Sequence, residues 1–242
     1  MKIHVEKLFS AVYSAWDQLL DFPKPQFLSG SRDDDRRNEL TAGAFLFLGW
    51  VSGAAVALIS ALSSWIFNRA AGAVVFAVLS WAVLTFKDSG RGDNTLNRWL
   101  CGKLCGKRCF EEMEELLRVM PAVVKLLVLI FIGWNGGFFY LTLVLTGAFG
   151  IQAALALNAD CTTEFFDRGE NAVKFFRTML IVLLVFSFVF SRVGTLAAAV
   201  ICGAVYMFSL KTLKSSGFSG SSISLAGTAA EWCLLAGGLL CM

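Results

Sequence analysis

The sequence predicts an all-α fold, a polytopic integral membrane helix bundle of about seven transmembrane helices. Hydrophobic residues make up 57% of the 242 residues and charged residues 16%, whereas a soluble domain carries about 25% charged residues. Apolar runs recur along the whole chain, and they leave no boundary between domains, so we expect one integral membrane domain, 1–242. Seven runs read as membrane spans: about 43–67, 70–86, 119–134, 137–157, 178–190, 194–210 and 225–240.

The charges predict an orientation for this bundle. From the N-terminus, the eight segments outside the runs hold 6, 1, 7, 0, 3, 1, 2 and 0 Lys and Arg residues. Every acidic residue except Glu231 falls in the first, third or fifth segment, and these three segments are also the richest in Lys and Arg. Because positive loops stay in the cytoplasm, we expect a cytoplasmic N-terminus and cytoplasmic loops at 87–118, 158–177 and 211–224. The net charge of +3 reflects this bias and does not indicate a nucleic-acid partner.

Two segments outside the spans have an amphipathic character. Residues 1–40 carry no signal-peptide pattern and mix acidic residues with short apolar groups, as an interfacial helix does. Between Cys109 and Met120, apolar residues recur at helical spacing opposite four glutamates. This pattern predicts a second amphipathic helix, lying on the cytoplasmic interface.

The first candidate for chemistry is the turn KDSGRGDNTLNR, residues 87–98, which follows the second run. Asp88 and Asp93 lie in flexible, glycine-rich backbone at the predicted membrane surface. Mg²⁺ uses one or two carboxylates and takes its other ligands from phosphate oxygens, so the pair suits a metal that bridges to a diphosphate. The alternative is a polar turn capped by aspartate.

The second candidate is the segment SSGFSGSSISLAGTAAEW, residues 215–232. A Ser/Gly-rich loop that enters a helix supplies free backbone N–H groups and a positive helix end, and both suit phosphate. The phosphate-binding residues would be Ser219, Gly220, Ser221 and Ser224. A flexible linker is the alternative.

The third candidate is the pair of charges inside the spans, Lys125 and Glu231. Each lies five or six residues inside the cytoplasmic end of its run, which corresponds to a depth of roughly 8 Å at about 1.5 Å per residue. Ionisable groups at such depth pair or serve function, although Lys125 could instead extend to the interface. Equal depth on the third and seventh runs predicts a structural ion pair.

Three of the seven cysteines stand close together in CGKLCGKRC, at Cys101, Cys105 and Cys109. Zinc sites take four ligands, and the single histidine of the chain, His4, is remote in sequence. We therefore interpret these cysteines as structural or incidental thiols.

Taken in order, these pieces resemble the cobalamin synthase family, the adenosylcobinamide-GDP ribazoletransferases, nearly from end to end. Phe22-Pro23-Lys24-Pro25 is similar to the family's N-terminal proline motif, and Gly49-x-x-x-Gly53 lies where the family has a glycine pair. TFKDSGRGDNT is similar to the signature H-L-D-G-L-A-D-T-x-D-G, and FEEMEELLR precedes a span with a lysine near its start, as in the family. The segment SGSSISLAGTAAEW resembles G-G-x-T-G-D-x-x-G-A-x-x-E, with matches at Gly220, Gly227 and Glu231.

Several family positions are occupied differently in this chain. Phe86 or Lys87 replaces the signature histidine, and Asp88 and Asp93 are the counterparts of two of its three aspartates. Ser224 stands at the aspartate of T-G-D, and Gln152 aligns where arginine is usual. A catalytically weakened relative, acting as a membrane scaffold or corrinoid-binding protein, is therefore the alternative to an active enzyme.

The resemblance implies a transferase of late cobalamin biosynthesis. Its substrates would be adenosylcobinamide-GDP and α-ribazole or its 5′-phosphate, and GMP would be released. It implies Mg²⁺ as cofactor and assigns Asp88 and Asp93 to the metal and to catalysis. It further implies a multi-pass protein of the bacterial or archaeal cytoplasmic (inner) membrane, surrounded by lipid. A homo-oligomer or an assembly with other corrinoid-pathway enzymes is left open. A small transporter or channel is disfavoured because the spans hold two charges and no inverted repeat is visible.

We predict that a membrane-impermeant thiol reagent added to intact cells labels Cys241 and does not label Cys101, Cys105 or Cys109. The reason is the alternation of Lys and Arg between the segments, which puts the cysteine cluster in the cytoplasm. Labelling of that cluster in intact cells would contradict the orientation.

Overall fold

The chain folds as a bundle of long helices. The computed structural model describes residues 11–12, 41–86, 96, 106–158, 170–216 and 220–241. Within these ranges it contains seven long α-helices and no β-strand, which confirms the predicted all-α class. The helices are α1 (Thr41–Ile66), α2 (Arg69–Phe86), α3 (Gly106–Trp134), α4 (Tyr140–Asn158), α5 (Glu170–Phe190), α6 (Arg192–Ser216) and α7 (Gly220–Cys241).

The helices have the length and composition of membrane spans. Five of them, α1, α4, α5, α6 and α7, are long and apolar enough to cross a bilayer. The apolar stretches of the other two are shorter, Arg69–Thr85 in α2 and Val119–Trp134 in α3. Large hydrophobic side chains such as Trp65, Phe190 and Leu240 are exposed on the outside of the bundle. Together these features indicate a multi-pass membrane protein.

Neighbouring contacts show that successive helices run in opposite directions. A Cβ at Gly72, near the start of α2, would touch Ser64 near the end of α1, and one at Gly133, near the end of α3, would touch Phe76 of α2. The starts of α1, α3, α5 and α7 therefore share one end of the bundle with the last residues of α2, α4 and α6. We call it the charged end, because the two long charged segments of the sequence between helices, 87–105 and 159–169, join helices there.

The centre of the bundle is α4, which packs against α1, α5, α6 and α7 and is buried along most of its length. Its contact with α1 depends on glycine. A Cβ at Gly53 would overlap the backbone of Thr142, and one at Gly49 would come within 2.6 Å of the Phe149 ring. The Gly49-x-x-x-Gly53 pattern thus serves close helix packing.

Hydrogen bonds fix the short connections at the opposite end. Asn68 Oδ1 accepts the N–H of Ala71 at 2.8 Å and caps the start of α2. After α3, Gly137 N–H donates to Ile132 O at 2.9 Å and Gly136 N–H to Gly133 O at 3.0 Å, with Gly136 at φ 79°. This is a Schellman cap, which favours glycine at the left-handed position.

Helix boundaries differ from the predicted ones at the charged end. The amphipathic segment 109–120 is not a separate helix but continues into the third apolar run as α3, with Pro121 inside it. Likewise, α5 begins eight residues before the apolar run at 178 and α7 five residues before the run at 225. Hydropathy marks the part of a helix that lies in hydrocarbon, whereas the backbone hydrogen bonds continue past it.

Most of the predicted N-terminal interfacial helix lies outside the described residues. Of that segment the structure describes Ala11 and Val12, which are helical. Ala11 is fully buried in a cluster with residues of α1, α4 and α5, among them Phe45, Phe149 and Phe176. The N-terminal segment therefore contacts the helix bundle at Ala11.

We expect Gly53→Ala to lower the thermal stability of the purified protein in detergent, because the added methyl group meets the α4 backbone. Overpacking of this kind costs about 1–3 kcal/mol. Gly203→Ala is the matched control, since a Cβ there meets no atom within 4 Å. Equal melting temperatures for the two variants would contradict the close α1–α4 contact.

Candidate functional site

The described charges inside the bundle meet in one ion pair. Lys125 Nζ of α3 lies 2.5 Å from Glu231 Oε1 of α7, and the two side chains are 4% and 2% exposed. The indole ring of Trp232 lies beside the same ammonium group, with its centroid 5.2 Å from Nζ, which adds a cation–π contact. The pair therefore replaces water with an opposite charge and an aromatic ring.

Helical periodicity explains why both side chains point inward. Lys125 shares its face of α3 with Leu129 and Ile132, and Glu231 shares its face of α7 with Leu234 and Leu235. All four leucine and isoleucine side chains are almost completely buried. Lys125 thus lies on the core side of α3, and extension to the interface, the alternative from the sequence, is not what the structure has.

A second contact joins the same helix to α4. A Cβ at Gly227 would overlap the side chain of Gln152, and Gln152 is buried. Because Gly227 lies four residues before Glu231, both residues occupy the inner face of α7. Further along, Tyr140 Oη donates to Leu234 O at 2.9 Å. Three levels of α7 are therefore fixed against α3 or α4.

The Ser/Gly segment is largely helical. Because α7 begins at Gly220, the residues Gly220, Ser221 and Ser224 belong to its first turns, whereas Ser219 lies outside the described residues. Ser224 is half-buried, and its carbonyl oxygen accepts from Thr228 Oγ1 at 3.2 Å. The expectation of a loop over 219–224 was wrong for this part, because helix geometry is already present at Gly220. The free N–H groups of a first turn are still suited to phosphate.

Asp88 and Asp93 lie outside the described residues, as do Cys101 and Cys105. The helices on either side of their segment are described: α2 ends at Phe86, and α3 begins at Gly106. Both of these points are at the charged end, where α7 also begins. Among the residues that the structure describes, no group of three or more His, Cys, Asp or Glu could hold a metal ion.

Two features of the site were missed at the level of sequence. The ring contact of Trp232 with Lys125 has a signal in retrospect, an aromatic residue directly after an intramembrane glutamate. The second feature is a cavity of about 310 Å³ between α4, α5 and α6, lined in part by Gly147, Gly150 and Gly203. The spacing of these glycines in the sequence does not reveal whether a neighbouring side chain fills the space beside them.

Comparison of the chain with protein-family models, curated proteins and solved structures gives no match. The resemblance to cobalamin synthases therefore depends on the motifs in the sequence.

We predict that Lys125→Met and Glu231→Gln each lower the free energy of unfolding in detergent. Each variant changes one partner of a buried pair, which costs about 3–5 kcal/mol in soluble proteins and less where lysine can reach the interface. The double variant should lose less than the sum of the single losses, because the coupling is then removed once.

The matched control for this cycle is the exposed pair Glu170–Lys174 on α5, with 2.7 Å between Oε1 and Nζ. An exposed pair four residues apart contributes about 0.3–0.5 kcal/mol, so Lys174→Met should change stability little. Strictly additive losses at Lys125 and Glu231 would show that the two residues do not interact in the membrane protein.

Proposed function

We propose that the chain is a seven-span membrane transferase of the cobalamin synthase type, acting late in cobalamin biosynthesis. It would join adenosylcobinamide-GDP to α-ribazole or its 5′-phosphate and release GMP. The observation that carries the proposal is the meeting of positions that the resemblance had picked out separately. Gly227 contacts Gln152, and Glu231 pairs with Lys125, although α7 is distant in sequence from both α3 and α4.

The proposed reaction takes place at the charged end. The hydroxyl group of α-ribazole attacks the phosphorus next to cobinamide and loses its proton to water, a new P–O bond forms, and the bond to the GMP leaving group breaks. Two carboxylates in a glycine-rich turn are a donor set that Mg²⁺ accepts, so Asp88 and Asp93 would hold it. When bound, the metal neutralises charge on the diphosphate.

The phosphate oxygens would lie at the start of α7. Gly220 and Ser221 offer backbone N–H groups of the first helical turn, where the helix dipole favours an anion. The buried pair further along keeps α7 in register with α3, and so holds this helix start in place. Glu231 and Lys125 would act as positioning residues rather than as groups that touch substrate.

The orientation of the proposal follows from charge. The Lys and Arg residues of the sequence favour a cytoplasmic charged end, in the cytoplasmic membrane of a bacterium or archaeon. Water-soluble nucleotide substrates would then have direct access to the connections between α2 and α3 and between α6 and α7.

One observation favours the alternative of a corrinoid-binding scaffold without turnover. The glutamate that matches the family motif, Glu231, is 2% exposed in its ion pair, so in this chain its role is structural. Together with the absent signature histidine, this would suit a protein that keeps the bundle and binds corrinoid without catalysis.

The test uses purified full-length protein in detergent. Titration calorimetry with Mg²⁺ and adenosylcobinamide-GDP measures binding, and chromatography after addition of α-ribazole measures GMP. The transferase proposal predicts Mg²⁺-dependent binding and GMP release that requires both substrates. Binding without GMP release would support the scaffold, and absence of binding would contradict both functions.

In the same assays, Asp88→Asn and Asp93→Asn should each weaken Mg²⁺-dependent nucleotide binding by about tenfold or more, since loss of a residue that only orients a metal ligand already costs that much. The melting temperature should stay the same. Asp160→Asn, in a different charged connection, is the control and should bind normally. Unchanged Mg²⁺ affinity in the double Asn variant would make residues 87–98 a polar turn.

A further inference from the structure

The cavity between α4, α5 and α6 has the dimensions of a site for one lipid chain. Its volume of about 310 Å³ is at the lower end of the range of about 300–1,000 Å³ for small-molecule sites. Along α5 it extends from Phe176 to Ser187, which is roughly 16 Å at about 1.5 Å per residue. That length is close to half of the hydrocarbon core of a bilayer, about 30 Å thick, and so to one leaflet.

The walls of the cavity are mainly apolar, with hydroxyl groups at Thr146 and Ser187, and its side is open. Leu180, Leu183 and Ile151 contribute large hydrophobic surfaces. Ala199 and Gly203 of α6 line the cavity and are exposed. The cavity therefore opens on the outer surface of this apolar helix. A charged or strongly polar ligand would lose its hydration here without compensation, whereas an acyl chain is chemically matched to these walls.

The end of the cavity near the charged end is polar. Tyr206 lines the cavity there, and its hydroxyl oxygen accepts from Asn158 Nδ2 at 2.8 Å. Asn158 is the last residue of α4. An amphipathic tyrosine next to an amide is typical of the level where the hydrocarbon meets the headgroups.

A positive charge lies beside this polar end. Arg177 of α5 is exposed and directly follows Phe176, which lines the cavity. It also precedes Leu180 by three residues, so it borders the same face of α5. Its side chain leans towards the start of α5, which is at the charged end. Lys174 is already paired with Glu170, whereas among the described residues Arg177 has no carboxylate partner.

We propose that this cavity binds one anionic phospholipid from the leaflet at the charged end. One acyl chain would lie between α4, α5 and α6, and the headgroup phosphate would contact Arg177. A guanidinium group recognises phosphate by charge and by paired hydrogen bonds. This site is independent of the proposed transferase activity. It lies on the side of α4 away from Lys125, and none of its lining residues belongs to the first turn of α7.

The glycines of the cavity provide a selective way to fill it. A Cβ at Gly147 would meet Leu234 at 2.6 Å, and one at Gly150 would meet Leu46 at 3.0 Å. In contrast, a Cβ at Gly203 meets no atom within 4 Å. Gly203→Leu therefore places a side chain in open space, and Ala199→Phe is a second filling variant from the same helix. Val200→Leu, at an exposed position of α6 outside the cavity, is the matched control.

The experiment is native mass spectrometry of the full chain in detergent, titrated with dioleoylphosphatidylglycerol or with dioleoylphosphatidylcholine. We expect one phosphatidylglycerol to bind more tightly than phosphatidylcholine. Gly203→Leu and Ala199→Phe should weaken binding of both lipids on the order of tenfold, and Val200→Leu should not. Arg177→Gln should remove the preference for phosphatidylglycerol. Lys211 is an exposed cation on α6, and Lys211→Gln should keep the preference.

Melting temperatures of the variants separate loss of binding from loss of folding, and two filling variants allow one to fail. Unchanged lipid binding in the filling variants that fold would overturn the proposal, as would equal affinity for the two lipids. Competition by free glycerol phosphate would assign the site to a soluble anion and also overturn it. A dimer that the filling variants abolish would assign the cavity to a second copy of the chain, with the same consequence.

Discussion

The ion pair between Lys125 and Glu231 is the interaction on which the rest of the bundle depends. Two charges buried among leucine and isoleucine side chains have lost their hydration, and only a close partner offsets that loss. This requirement fixes α7 against α3, although the two helices are far apart in sequence. On its other side α7 is held to α4 by the bond from Tyr140 to Leu234 and by the contact of Gly227 with Gln152. Thus the register of α7, and the position of its first turn at the charged end, follow from the ion pair together with these two contacts to α4.

Close packing on one side of α4 is accompanied by open space on the other. Towards α1 and α7 the backbones approach so closely that a single methyl group at Gly53 or Gly227 would overlap its neighbour. Towards α5 and α6 the helices are less buried and leave the cavity lined by Gly203 and Tyr206. In a membrane the surroundings of an open apolar cavity are lipid chains, which are as apolar as leucine side chains. The tightly packed side supports the proposed transferase end of the bundle, and the open side supports the proposed lipid site.

The sequence was sufficient for the class of fold and for the approximate position of each long helix that the structure describes. The reason is that hydropathy distinguishes segments that lie in hydrocarbon from segments that lie in water. It was insufficient for the first residues of α3, α5 and α7, because these helices begin before the apolar run and so outside the hydrocarbon. It also left two alternatives for Lys125, since depth along a helix does not say which face a residue occupies. The periodicity with Leu129 and Ile132 could have favoured the inward face. The cavity was not predictable, because Gly53 and Gly203 are the same residue and differ only in what the neighbouring helix presents. Asp88, Asp93 and Ser219, on which the proposed chemistry depends, lie outside the described residues.

The most direct test of this account is the distance between the two charged groups in a bilayer. The full chain, labelled with ¹⁵Nζ-lysine and ¹³Cδ-glutamate, would be reconstituted in lipid vesicles for rotational-echo solid-state NMR. A Glu170→Gln background removes the exposed pair of α5, and the coupling that a further Glu231→Gln substitution abolishes is assigned to Lys125 and Glu231. The account predicts dephasing at the rate of a direct ammonium–carboxylate contact, from a lysine that is protected from water. An ammonium group of Lys125 in contact with water, without coupling to a glutamate carbon, would contradict it.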